Sequence, residues 1–191
     1  MAAVGAVVVP SVVPSTADRA FAAWTTDPVQ LTAPQSLPLA QDCARFSGGG
    51  TVTAADVLVA ERRGMATQLL LRKGPTVAEC VSFDSESVVG WSAVADWPVA
   101  HPTGRTVVVD LLDSHGSGGD AFSNIAGRVG DDVTSVDVVR RSGQVVHASV
   151  RDAWLTAWWP GDDALDVSPM KIVVHATDGA AATFAANEPL S

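Results

Sequence analysis

Between Thr134 and Val150 apolar and polar residues change places with the period of a strand. Thr134, Val136 and Val138 alternate with Ser135, Asp137 and Val139. After Arg141-Ser142-Gly143 the pattern resumes as Val146, Ala148 and Val150 against Val145, His147 and Ser149. Such alternation predicts two half-buried strands joined as a hairpin. A two-residue Ser-Gly turn would set Val138 against His147 and Val136 against Ser149. A three-residue loop with Gly143 in the left-handed region instead sets Val138 against Val146, Val136 against Ala148, and Asp137 against His147 on the outer face. A one-residue slip moves every side chain to the opposite face, so burial selects the second register. The strand that follows carries three of the chain's six tryptophans. Trp154 and Trp158 share one of its faces and Trp159 takes the other.

Similar signals recur along the chain. Residues 57–72 (VLVAERRGMATQLLLR) read as a hairpin turning near Arg62-Arg63-Gly64. Gly74-Pro75 makes the next turn, and TVAECVSF carries Cys80 on a third strand. Residues 88–94 and 106–112 are further strands, and 114–120 (SHGSGGD) reads as a loop. A loop at Thr177-Asp178-Gly179 would place Val174 opposite Ala182 and Ile172 opposite Phe184. Near the N-terminus, Ser15 or Thr16 can cap a helix start with Asp18 in its first turn. The run through Pro28, Pro34 and Pro38 reads as extended. Leu39 to Phe46 fits two helical turns with Leu39, Cys43 and Phe46 on one face. The predicted fold is mainly β, an antiparallel sheet or sandwich built from hairpins, with one short α-helix near residues 39–46. A length of 191 residues suits a single domain, here 15–191, after an apolar segment at 1–14.

Composition narrows the partners. Hydrophobic residues make up 47% and charged residues 17%, which is not the balance of a disordered acidic chain. A net charge of −9 argues against nucleic acid and against docking on anionic lipid through a basic face. The start, MAAVGAVVVPSVVP, falls short of the roughly 20 residues that span a bilayer, and it lacks the basic region that opens a signal peptide. It is either an apolar beginning, such as an edge strand, or the outer end of a membrane anchor that begins further upstream. Cys43 and Cys80 stand in no metal-type spacing. They would be free thiols in a cytosolic protein and paired in an exported one.

Candidate chemistry is sparse. The four histidines are scattered, with no close pair of the kind that advertises zinc. Asp110, Asp113, His115 and Ser117 offer a nucleophile, a base and a carboxylate within eight residues. No GxSxG accompanies them, and a triad needs groups converging from separate elements. Asp131-Asp132 and Asp162-Asp163 follow glycines, as turn residues do. Neither Gly48-Gly49-Gly50 nor Gly116-Ser117-Gly118-Gly119 carries the GK[ST] of a phosphate loop. The expectation is therefore no catalytic residue, no metal and no cofactor. Aromatic side chains outside the core can hold sugars, peptides or partner proteins. Trp159, Trp97 and Trp91 form the candidate binding surface.

The order AFAAWTTDP, a helix with a cysteine, VLVAERRG…LLL…AEC, then GRVGDDVTSVDVVRRSGQVVHASVRDAWLTAWWPG resembles a family of uncharacterised membrane-anchored extracytoplasmic proteins of high-G+C Gram-positive bacteria. The likeness spans nearly all of residues 15–187 and is most specific in AWWPG. It implies that the apolar start is the tail of an anchor, the only link to a membrane, and that the cysteines face an oxidising exterior. On that footing Cys43 and Cys80 are expected to form a disulfide, worth about 4 kcal/mol by loop-closure entropy. Cys80 shares its strand side with Ala78 and Ser82 rather than with the more apolar Val77, Val81 and Phe83, so the pairing needs a layer on both sides of that strand. The expected function is a non-catalytic extracytoplasmic domain that binds a protein or small ligand, as the sensory half of a signalling protein would. A structural envelope protein is the alternative, and a hydrolase using His115 or His147 comes last.

Overall fold

The computed structural model describes residues 13–84 and 87–186. The segment 1–12, where the anchor expectation falls, lies outside them. The described chain forms two α-helices and thirteen strands in three antiparallel sheets. It is mainly β, as the hydrophobic periodicity predicts.

The first sheet has the order β1 (Val29–Gln30), β2 (Val57–Arg63), β3 (Ala66–Lys73), β4 (Thr76–Ser82) and β5 (Val88–Asp96). The second contains β6 (Val107–His115), β7 (Phe122–Val129), β10 (Ser149–Arg151) and β11 (Trp154–Pro160), in the order β10-β11-β7-β6. The third joins β8 (Val133–Val139), β9 (Val145–His147), β12 (Lys171–Ala176) and β13 (Ala181–Ala185), in the order β13-β12-β8-β9. The second sheet is sandwiched. One of its faces gives Ala126 and Trp154 to a cluster with Val59, Leu70 and Val77 of the first sheet. The other gives Ile125, Leu155, Ala157 and Trp159 to a cluster with Val136, Val138, Val146, Ile172 and Val174 of the third.

The two hairpin registers are those expected. Val138 pairs with Val146 and Asp137 with His147, while Val174 pairs with Ala182 and Ile172 with Phe184. Gly143 takes φ 83°, and its N–H donates to Arg140 O at 2.9 Å. That closes a three-residue loop which an L side chain would strain.

The N-terminal third meets expectation where its first helix starts and departs from it at the second. A short helix, α1 (Thr16–Ala22), starts at a capping box in which Ser15 and Asp18 bond each other's backbone. The second helix, α2, runs from Ala33 to Phe46, six residues earlier than the predicted start at Leu39. Pro34 stands in the first turn, where no N–H is needed, and a Thr32–Gln35 capping box sets the start. Pro38 lies inside the helix and is exposed; the packing of the helix's buried stripe on the first sheet offsets the lost bond. The buried stripe is Ser36, Leu39, Ala40, Cys43 and Ala44. Phe46, expected on it, is 66% exposed at the last helical position. Leu39, Ala40, Cys43 and Ala44 pack on Ala60, Leu69, Leu71 and Cys80. The helix therefore covers the first sheet on the side away from the second, and β4 is covered on both faces.

Among the described residues no helix is long and apolar enough to cross a membrane.

Candidate functional site

The layering decides what the tryptophans do. Trp159 is fully buried, and its Nε1–H donates to Asp163 Oδ2 at 3.2 Å. The expected role on a binding surface is corrected: the third sheet covers the face that would have been open. Asp163 also accepts from Arg140 Nε at 2.6 Å, Arg140 Nη2 donates to Pro160 O at 2.7 Å, and Gly161 N–H donates to Ala121 O at 2.7 Å. The AWWPG segment is thus a structural knot at the end of β11. Trp158 packs with Phe21, Phe83 and Phe122 on the opposite face. Trp91 and Trp97 are half-buried. Trp91 packs on the α2 cluster, whereas Trp97 packs on the cluster between the first and second sheets, with Arg72 5.3 Å above its ring. The three candidates form no common platform.

The polar residues noted in the sequence fall into three places. Asp110 pairs with Arg128 at 2.7 Å, His115 stacks on Phe122 with Nε2 3.9 Å from Asp113, and Ser117 is exposed beyond the strand end. These four do not converge. On the outer face of the third sheet, Asp137 Oδ1 lies 2.7 Å from His147 Nδ1 and Oδ2 lies 2.9 Å from His175 Nε2. Cross-strand pairing explains the first contact and a diagonal the second; the sequence, with the histidines 28 positions apart, signalled only the first. Among the described residues no group of three or more His, Cys, Asp and Glu is arranged to hold a metal ion.

A more concentrated polar group was not read from the sequence. On the face of the first sheet that meets the second, Glu61, Arg63, Gln68 and Glu79 are fully buried, as is Asn124 across from them. Arg63 pairs with Glu61 through two bonds of 2.6 and 3.0 Å. It also donates to the carbonyls of Thr25, Thr26 and His147, so all five of its N–H groups are used. Burial pushes the Glu61 carboxyl up, against the opposing pull of Arg63. Glu79 receives one side-chain bond, from Gln68 Nε2 at 2.6 Å, while its Oε2 and both polar atoms of Asn124 find no partner of normal geometry. Burial, above all, pushes the Glu79 carboxyl up to about 7, with the negative charges of Asp113 and Glu61 adding to it. Glu61, Gln68 and Glu79 occupy alternate, inward positions of their strands; that placement was the available signal.

Cys43 and Cys80 form a disulfide with Cα atoms 6.2 Å apart, within the usual range. It ties α2 to β4.

At the N-terminal end of α2 lie two surface hollows that share Leu31. One, about 300 Å³, is lined by Leu31, Gln35, Pro38, Leu39, Arg62 and Thr67 among others. The other, about 370 Å³, is formed by residues 30–34 and Arg151. Neither has an acidic residue in its wall, although the chain carries 21 of them. The Arg62 side chain makes no hydrogen bond or ion pair with another described residue. The remaining arginines all do. Sequence alternation places Arg62 outward between Glu61 and Arg63 but does not announce a groove, because the groove depends on where α2 begins.

No protein-family model, no curated protein and no solved structure matches the chain.

Proposed function

We propose that this chain is a non-catalytic extracytoplasmic binding domain whose ligand lies in the groove between the start of α2 and the β1–β2 edge. The observation that carries the proposal is the pair of acid-free hollows with an unpaired arginine, on a surface that is otherwise acidic. Binding surfaces favour arginine and aliphatic walls with a few placed polar groups. The Cys43–Cys80 disulfide fits an oxidising exterior, and it holds the helix that forms one wall of the groove. The resemblance to anchored extracytoplasmic proteins points the same way. The test is hydrogen exchange on the purified, oxidised domain, presented with envelope-derived peptides and small molecules. Protection confined to residues 30–39 and 62–67 supports the groove. Protection elsewhere, or none with any fraction, contradicts it. For the location, the two cysteines of the cell-borne protein should resist alkylation until a reductant is added.

A further inference from the structure

We infer that the groove takes the C-terminal end of an extended peptide, with the terminal carboxylate on Arg62; the inference rests on the groove being the binding site. The wall of the first hollow supplies donors: the Arg62 guanidinium, the Gln35 amide and the Thr67 hydroxyl. Gln35 Oε1 already accepts from Thr32 N and Oγ1 at 2.9 and 2.8 Å, so the amide's remaining capacity is its NH₂. A donor-rich wall with no carboxylate selects an acceptor-rich anion, and a guanidinium's planar fork matches a carboxylate. Beside these donors stand Leu31, Pro38 and Leu39. A terminal residue presents a carboxylate and a side chain on one carbon, so an aliphatic last residue would meet both halves of that wall. An internal acidic side chain brings the carboxylate without the apolar companion. The second hollow continues past Leu31 along residues 30–34, which gives room for the residues that precede the terminus. A free small acid would leave it unused. Capture of a chain end by positioned donors is a known recognition mode.

The probes are acetyl-alanyl-alanyl-leucine, the same peptide as its C-terminal amide, an amidated analogue with an internal glutamate, and acetyl-leucine alone. Titration calorimetry is run on the oxidised domain and on Arg62→Ala, Arg62→Lys and Lys171→Ala. Arg62 is exposed, so its variants keep the fold, and unchanged circular dichroism checks this. The free-acid tripeptide should bind at least about tenfold tighter than its amide, since a hydrogen-bonded charge contributes that much. Arg62→Ala should bring the free acid down to the amide's affinity and Arg62→Lys should restore part of the loss. Lys171→Ala, on the third sheet, should change nothing. Equal binding of acid and amide, or no effect of Arg62→Ala, overturns the inference. So does acetyl-leucine binding as tightly as the tripeptide, or the internal glutamate binding better. If no peptide binds while another ligand protects residues 30–39 and 62–67 from exchange, the carboxylate inference falls and the groove stands. If nothing protects them, both fall.

Discussion

Glu61 and Glu79 stand two strands apart on the same buried face of the first sheet, yet their surroundings differ in kind. Glu61 has Arg63 across both its oxygens, and Arg63 in turn ties the α1–β1 connection and β9 to the first sheet. Glu79 has one amide donor and an unpartnered oxygen beside Asn124. The burial is equal; the donors are not. A buried carboxylate keeps its charge only where the protein replaces the hydrogen bonds of water. At Glu61 the Arg63 guanidinium spans both oxygens and opposes the upward push of burial, and the pair serves as a joint between layers. At Glu79 the protein supplies no such partner, and the proton stays on up to about neutral pH.

The contrast is broken most severely at Arg63. Arg63→Ala leaves the Glu61 carboxylate buried without its partner and frees three carbonyls, and should cost toward the upper end of about 3–5 kcal/mol in denaturant unfolding. A loss under about 1 kcal/mol would mean that the pair is no joint. On the opposite face of the same sheet the tie is covalent. Reducing Cys43–Cys80 should cost about 4 kcal/mol, with exchange protection lost first in α2.

Glu79 predicts a pH dependence with a definite sign. Its folded carboxyl titrates near 7, against an ordinary value of 4.5. Below pH 4.5 the group is neutral in both states. Between 4.5 and 7 the unfolded chain gives up the proton that the folded chain retains, so stability falls as pH rises, and the contribution levels off above 7. The total is about 3 kcal/mol. Glu79→Gln should remove that slope and stabilise the protein by a similar amount at pH 8, where native Glu79 is charged. The smallest effect belongs to the half-buried Asp137 carboxylate between two imidazoles. Asp137→Asn should cost less than about 1 kcal/mol at pH 6, as surface ion pairs do. A larger loss would place the outer face of the third sheet among the structural joints.

Much of the β architecture was legible because period-two patterning and glycine-bearing loops fix register locally. Val136, Val138, Val146, Val174 and Gly143 give both late hairpins without reference to the rest of the chain. The layers were not legible. Whether Trp159 is covered depends on a sheet assembled from residues 133–139, 145–147 and 171–185, and nothing in AWWPG reports that sheet. The requirement for a cover over Cys80 pointed the right way, since the disulfide needed a helix on that side. Pro34 and Pro38 misled because a first-turn proline and a proline on the exposed side of a helix held by its buried stripe look, in sequence, like breaks. The buried glutamates were missed for a related reason. Strand alternation assigns charged residues outward by default, while Glu61, Gln68 and Glu79 follow the inward phase of Val59, Leu70, Val77 and Val81.

The comparison between the two glutamates is tested most directly by following the carboxyl carbon of each by NMR from pH 3 to 9 at native conditions. Glu79 should titrate near pH 7 and shift further upward when Asn124→Leu removes its polar neighbour. A Glu79 midpoint close to the ordinary 4.5 would contradict the claim that this carboxyl is buried without adequate donors.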